Sequence, residues 1–263
     1  MGRWLSIVCT GVFLTACATS PTGQTQLQLF PEEQMIEMGQ AAYQEIKQQT
    51  PISQDPQVNQ YVRCVAAAVI QEVEGNTSWE VTVFQDNTAN AFALPGGKIG
   101  VNTGMLDVAE NQHQLATVIG HEIAHVKANH SNARLSASYA TQAGLALVQL
   151  LTGAASPEKQ QLLGLLGLGA QVGVLLPYGR AQESEGDILG LTYMARAGFD
   201  PQQSIALWQS MAKAGGPQPP AFLSTHPSHG SRITELRKRM PEAIALSRQA
   251  RAMGKTSHCG ERG

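Results

Sequence analysis

His121 and His125 stand four residues apart with Glu122 beside the first, in the string His-Glu-Ile-Ala-His. On a helix this spacing puts both imidazoles on one face, where they can fill two positions on a zinc ion. Glu122 then lies next to the ion without binding it. A carboxylate so placed can take a proton from a water that the ion has made acidic, which is the chemistry of peptide-bond hydrolysis.

A catalytic zinc takes three protein ligands and keeps a position open for water, so a third ligand must come from elsewhere in the chain. Glu183-Ser184-Glu185-Gly186-Asp187 is the evident source. Glu183 and Asp187 share a helix face, so Glu183 can bind the metal while Asp187 reaches the outer nitrogen of a ligand histidine and fixes its tautomer. Glu185 projects about 200° away from Glu183 and reads as a solvated acid. His226, beside Pro227 in a loop entering a helix, is a candidate donor to a developing oxyanion. His229 competes with it, and either can simply cap the helix. His130 lies more than about 120° round the helix from the ligand pair, and His113 is also off their face. Both read as surface or structural histidines. One Zn2+ per chain is expected.

The elements that must hold these groups follow from pattern and punctuation. A helix is expected from about Pro31 to Gln49 and, after Pro51 and Asp55-Pro56, a second from about Gln57 to Glu72. Trp79 to Phe84 alternates like a strand, Asn90 to Leu94 is extended, Pro95-Gly96-Gly97 turns, and Lys98 to Asn102 returns as a third strand of a small antiparallel sheet. The motif helix is expected from an Asn111 cap to about His130, with Leu115, Val118, Ile119, Ile123 and Val126 as its apolar stripe. Further helices are expected from about Gln182 to Ala197, stopped by Gly198, and after Asp200-Pro201. A final helical region follows His226-Pro227. The fold class is α+β, mostly helical.

With 263 residues and a formal charge of -2, the chain suits one globular domain with extensions, and its dispersed lysines and arginines indicate no nucleic-acid partner. Arg3 precedes an apolar run, Trp4 to Leu14, too short for the roughly 20 residues of a membrane span. It reads as a secretion signal, residues 1–16. Leu14-Thr15-Ala16-Cys17 resembles the lipobox of bacterial lipoproteins, which implies lipid on Cys17, a membrane tether, and, with Ala at position 18, an outer-membrane address facing the periplasm. Residues 17–30 then read as a flexible tether, 31–250 as the metallopeptidase domain and 251–263 as a disordered tail. Two readings stand for Cys64 and Cys259 in such a compartment: a disulfide, or a small core residue and a cysteine in a polar tail. Apolar stretches Gly144 to Ala155 and Leu162 to Leu176 suit packed helices or a cover over the cleft.

Four motifs in order carry a resemblance: HExxH at 121–125, ExxxD at 183–187, Asn90-Ala91-Phe92-Ala93-Leu94-Pro95-Gly96-Gly97, and the run Leu223 to Arg232. Together they resemble the gluzincin family of the HtpX heat-shock protease, the Ste-type CAAX prenyl protease and the mitochondrial OMA protease, the OMA type most of all. The resemblance implies His121, His125 and Glu183 as zinc ligands, Glu122 as general base, Asp187 behind a ligand and His226 at the oxyanion. It also implies substrate contact along Asn90, Ala91, Phe92 and Ala93, by strand addition, and at Arg232, whose role lies between substrate contact and support. Gly186 departs from the family's usual alanine, and the membrane-spanning segments of several relatives are not found. The implied function is cleavage of misfolded or unassembled envelope proteins, with envelope-assembly partners. The alternative is a chaperone-like lipoprotein with a closed or structural zinc site.

Overall fold

The computed structural model describes residues 17–152, 178–214, 220–227, 230–255 and 258–260. The expected signal (1–16), most of the expected cover (153–177) and His229 lie outside them. The described chain runs β1 (Cys17–Thr19), β2 (Thr25–Leu27), α1 (Glu32–Gln49), α2 (Pro56–Ile70), β3 (Glu80–Phe84), β4 (Ala91–Leu94), β5 (Lys98–Asn102), a short α3 (Met105–Val108) and α4 (Gln112–Lys127). After these come α5 (His130–Thr152), α6 (Arg180–Arg196), α7 (Gln202–Ala214), a short α8 (Phe222–Thr225) and α9 (Ser231–Ala252). The mostly helical α+β class expected from the pattern is the one observed.

The motif helix α4 is the central element. Asn111 caps it, its side chain accepting from His113 N–H and Gln114 N–H, both at 3.0 Å. Every residue from Gln114 to His125 is buried, so the helix has no solvent face in its middle, as a core helix packed on several sides requires. Leu115, Ile119 and Ile123 are fully buried, and each such side chain contributes roughly 1.5–3 kcal/mol of burial. The helix stops at Lys127, three residues before the expected end, because Asn129 takes a left-handed conformation with φ 54°, a backbone shape that asparagine tolerates at helix ends. His130 therefore opens a new helix instead of closing the old one.

Helix α6 crosses α4 at Gly120 and Gly190. A Cβ on Gly120 would come within 2.8 Å of Gly190 O, and one on Gly190 within 2.7 Å of His121 N. Two glycines thus let the backbones touch where the metal motif begins.

The sheet departs from the expected antiparallel form. Its order is β3-β5-β4, with β5 parallel to β3 and antiparallel to β4. The turn at 95–97 folds β5 back between its two predecessors, which leaves β4 at the edge. Asn102 N–H donates to Asn90 C=O, so in this register Phe92 and Leu94 also direct their backbone groups to β5. Ala89, Ala91 and Ala93 direct theirs outward.

Both chain ends differ from the expected tether and tail. Residues 17–30 form the β1–β2 hairpin and an arm docked on the helices, with Gln26 Nε2 donating to Ala128 O at 2.7 Å and Leu29 N–H to Ser136 Oγ at 2.8 Å. At the other end, Cys259 is bonded to Cys64, its N–H donates to Gln112 Oε1 at 3.0 Å, and Lys255 pairs with Glu72 at 2.7 Å. The first of the two cysteine readings is therefore the observed one. These polar segments carry no periodic signal; their partners lie about 100 or more residues away. Among the described residues, no helix is long and apolar enough to cross a membrane.

Candidate active site

Helix α4 carries His121, Glu122 and His125; α6 carries Glu183, Glu185 and Asp187; His226 directly follows α8; and Arg232 is the second residue of α9. All of these functional side chains are buried. One donor atom from each of His121, His125, Glu183 and His226 falls within 4.8 Å of every other. A tetrahedral ion with bonds of about 2.0–2.1 Å spaces its ligand atoms about 3.3 Å apart. The observed spacings bracket that value. His121 Nε2 lies 3.0 Å from His125 Nε2 and 3.2 Å from His226 Nδ1. Glu183 lies 3.0 Å from His226, 3.5 Å from His125 and 3.6 Å from His121. The cluster fits a zinc site in donor type, convergence and burial.

The glycine at 186 belongs to this geometry. A Cβ there would meet His121 Cε1 at 3.0 Å and His125 Nε2 at 3.1 Å, so both imidazoles lie against the α6 backbone. The departure from the usual alanine gives the rings a few tenths of an ångström of room.

The outer nitrogens are held as well. Asp187 Oδ1 is 3.1 Å from His121 Nδ1, the contact expected of it. Burial pulls Asp187's pKa upward, but the adjacent Arg232 charge and its hydrogen bonds outweigh this and hold it at about 2. His125 Nδ1 meets His130 Nδ1 at 2.8 Å, and His130 Nε2 meets Glu185 Oε2 at 3.1 Å. Of the two readings of His130 the structural one is observed, and the reading of Glu185 as a solvated acid is corrected. His130 comes back to the site because of the break at Asn129, and Glu185 is 1% exposed, enclosed by His130 and the N-terminal hairpin. Burial raises Glu185's pKa, while hydrogen bonds from His130, Ser20 and Thr22 bring it to about 2. Tyr178, also unforeseen, stacks on His125 with centroids 3.8 Å apart, and its N–H donates to Thr225 O at 2.9 Å. His113 is structural, as expected, its Nδ1 accepting from Asp200 N–H at 3.2 Å.

Arg232 lies in the interior beside the site. It is 1% exposed, stacks over Trp208 at 3.6 Å, grips Asp187 with two nitrogens and gives a third to Glu183 Oε2 at 2.6 Å. Of the two roles open to it, this geometry serves support, because all three guanidinium nitrogens bond to carboxylates of the site and the residue is buried.

Glu122 stands between the donor cluster and the sheet edge. Its Oε2 accepts from Ala93 N–H at 3.0 Å, and its Oε1 is 3.2 Å from His226 Nε2. Burial, and then the nearby Glu183 charge, push its pKa well up. Burial and the neighbouring His121 push His125 and His226 well down, toward neutral imidazoles. Asn90, Ala91, Phe92, Ala93, Glu122, Tyr178, Thr225 and His226 line one narrow cleft of about 10 Å³, room for about one water. Along its wall, Phe222 N–H takes Ala89 C=O at 3.0 Å and Glu122 takes Ala93 N–H. Among the described residues, the Ala91 N–H and C=O and the Ala93 C=O have no partner strand, although Ala91 and Ala93 are themselves buried.

A buried His, His, Glu donor set with a carboxylate poised beside it defines the metallopeptidase class of site. The sequence pattern of Peptidase family M48 matches residues 53–240, and the chain belongs to this family. It is 38% identical over 167 residues to the mitochondrial metalloendopeptidase OMA1 of Schizosaccharomyces pombe, covering 63% of this chain and 48% of that protein. To the metalloendopeptidase OMA1 of Danio rerio it is 33% identical over 262 residues, 93% of this chain and 55% of that one. To the beta-barrel assembly-enhancing protease of Escherichia coli it is 28% identical over 215 residues, 78% and 44%. The chain spans about half the length of these relatives.

Proposed function

We propose that this chain is a zinc-dependent endopeptidase that cleaves misfolded or unassembled cell-envelope proteins. The observation that carries the reading is the position of Glu122, with one oxygen on Ala93 N–H of the edge strand β4 and the other facing His226 Nε2 beside the donor cluster. Zinc held by His121, His125 and Glu183 would polarise the scissile carbonyl and lower the pKa of a water to about 7. Glu122 takes the proton of the attacking water and passes it to the leaving amine. The outward groups of Ala91 and Ala93, buried in the substrate-free chain, would pair with an extended substrate backbone that enters the cleft, which makes recognition depend little on side chains and suits unfolded clients. His226 Nε2, facing the same cleft, donates to the oxyanion.

The envelope assignment draws on the lipobox-like Leu14-Thr15-Ala16-Cys17, on the exposure of Cys17 at the start of the hairpin, and on relatives named beta-barrel assembly-enhancing protease. In this reading lipid on Cys17 holds the domain at the periplasmic face of the outer membrane. Cys17→Ser would then release it, and unchanged membrane association would sink the anchor.

A second reading is favoured by one feature: His226 makes the buried donors four, the count of a closed structural site. That would be the chaperone-like lipoprotein. Glu122→Gln separates the two. The protease reading expects full zinc content with cleavage of unfolded casein down about 10²–10⁴-fold. Equal cleavage by wild type and variant refutes it, and no cleavage by either, with misfolded clients still protected, favours the second.

A further inference from the structure

We infer that His125 is held in its metal-binding tautomer by a relay running outward through His130 and Glu185 to the N-terminal hairpin, so that His130, Glu185 and Thr22 are positioning residues of the metal site. The two ligand histidines are supported unequally. His121 has a carboxylate directly on its outer nitrogen, Asp187 at 3.1 Å. His125 has another imidazole there, and an imidazole can offer either a proton or a lone pair. What decides is the far end of the chain.

Glu185 as a carboxylate can only accept. Its Oε1 takes two hydrogen bonds from the hairpin, Thr22 N–H at 3.0 Å and Thr22 Oγ1–H at 2.7 Å, and its Oε2 faces His130 Nε2 at 3.1 Å. That contact requires the proton on His130 Nε2. In a neutral ring the other nitrogen must then accept, so the 2.8 Å contact between His130 Nδ1 and His125 Nδ1 requires the proton on His125 Nδ1. The lone pair of His125 is thereby left on Nε2, the atom 3.0 Å from His121 Nε2 in the donor cluster. Every link has one permitted direction, set by a carboxylate and secured by a segment more than 160 residues away in sequence. Such outer partners raise metal affinity by fixing ring orientation and proton position.

Glu185→Gln is a sharp test because the hairpin dictates how the amide turns. Thr22's two donors require the amide oxygen at the Oε1 position, which puts the NH2 group against His130 Nε2. The relay reverses, and the proton arrives on His125 Nε2, where it blocks ligation. Zinc affinity, measured by competition with a chelator, should fall about 10–100-fold in Glu185→Gln and His130→Ala. Because both act through one atom, the double variant should be no weaker than the weaker single one. Thr22→Val, at an exposed turn that cannot unfold the domain, should give a smaller loss in the same direction. In the metal-free protein, ring-nitrogen NMR should report His125 protonated at Nδ1 in wild type and at Nε2 in Glu185→Gln.

The inference rests on His125 as a ligand, so His125→Ala is measured alongside. Stoichiometric zinc retained in His125→Ala would overturn the ligand assignment and the relay together. Zinc lost there, with wild-type affinity and tautomer in Glu185→Gln and Thr22→Val, or with additive losses in the double variant, would overturn the relay alone.

Discussion

Arg232 and Asp187 form a buried, two-pronged ion pair, with Nε 2.7 Å from Oδ2 and Nη2 2.6 Å from Oδ1. The third prong, Nη1 on Glu183, ties a proposed metal ligand to the carboxylate behind another. A lysine keeps the charge and loses the fork. Arg232→Lys should therefore lower both zinc affinity and the thermal midpoint, and Arg232→Ala should cost about 3–5 kcal/mol by stranding two buried carboxylates. Denaturant unfolding and chelator competition measure the two effects. A rise in KM alone, with stability and zinc unchanged, would return Arg232 to the substrate side.

Acid should destabilise the metal-free protein in two stages. His125 and His226 have folded pKa values well below their ordinary 6.5, so their contribution is full above 6.5 and is lost as pH falls below it and the unfolded chain takes up protons. Glu185 and Asp187, held at about 2 against ordinary values of 4.5 and 3.8, add stability above those values that is lost as pH falls toward 2. Glu122 runs the other way: its pKa is raised, so its penalty grows from its ordinary 4.5 upward, as the unfolded chain loses the proton first, and is complete once pH passes the folded value. Urea midpoints across pH 8 to 3 should decline first below about 6.5 and more steeply below about 4.5. A flat profile from 6.5 to 4.5 would mean that the two histidines are not buried in the neutral form.

Gly190→Ala should be among the most damaging single-methyl additions. The new Cβ would sit 2.7 Å from His121 N and 2.8 Å from Gly120 C, backbone that cannot step aside without parting α4 from α6. Both the thermal midpoint and zinc content should drop. Gly186→Ala meets only ring atoms at 3.0–3.1 Å and should keep its zinc with a modest loss of affinity. Equal effects at the two sites would show that the helix crossing is not what sets the ligand positions.

The Cys64–Cys259 bond closes a loop of 195 residues, for which the chain-entropy argument gives roughly 5 kcal/mol as an upper figure. Reduction, or Cys259→Ser, should lower the denaturant midpoint and expose the segment after α9 to proteolysis. If neither changes, Lys255 and the Cys259 backbone hold that segment unaided.

Much of the site was open to local reasoning. The four-residue spacings of His121 with His125 and of Glu183 with Asp187 are helix arithmetic, and the Asn111 cap announces the helix that carries the first pair. Glu185 and His130 defeated the same arithmetic. A 200° offset on an ideal helix implies solvent only if nothing else covers that face, and the hairpin at Thr22 does. The offset of His130 presumes an unbroken helix, and the positive φ at Asn129 breaks it. The mixed order of the sheet and the docking of both chain ends were hidden for a related reason, since each depends on contacts between distant segments that leave no periodic trace.

What the sequence determined by itself is the chemical inventory: two imidazoles and a base on one helix, an acid pair on another, and the motifs that mark the family, because side-chain type and helical period are local properties. What only the tertiary structure decided is which polar groups face each other in the interior. Burial makes every unmatched donor or acceptor costly, so Arg232 was drawn to Asp187, Glu185 to His130, and Ala93 N–H to Glu122.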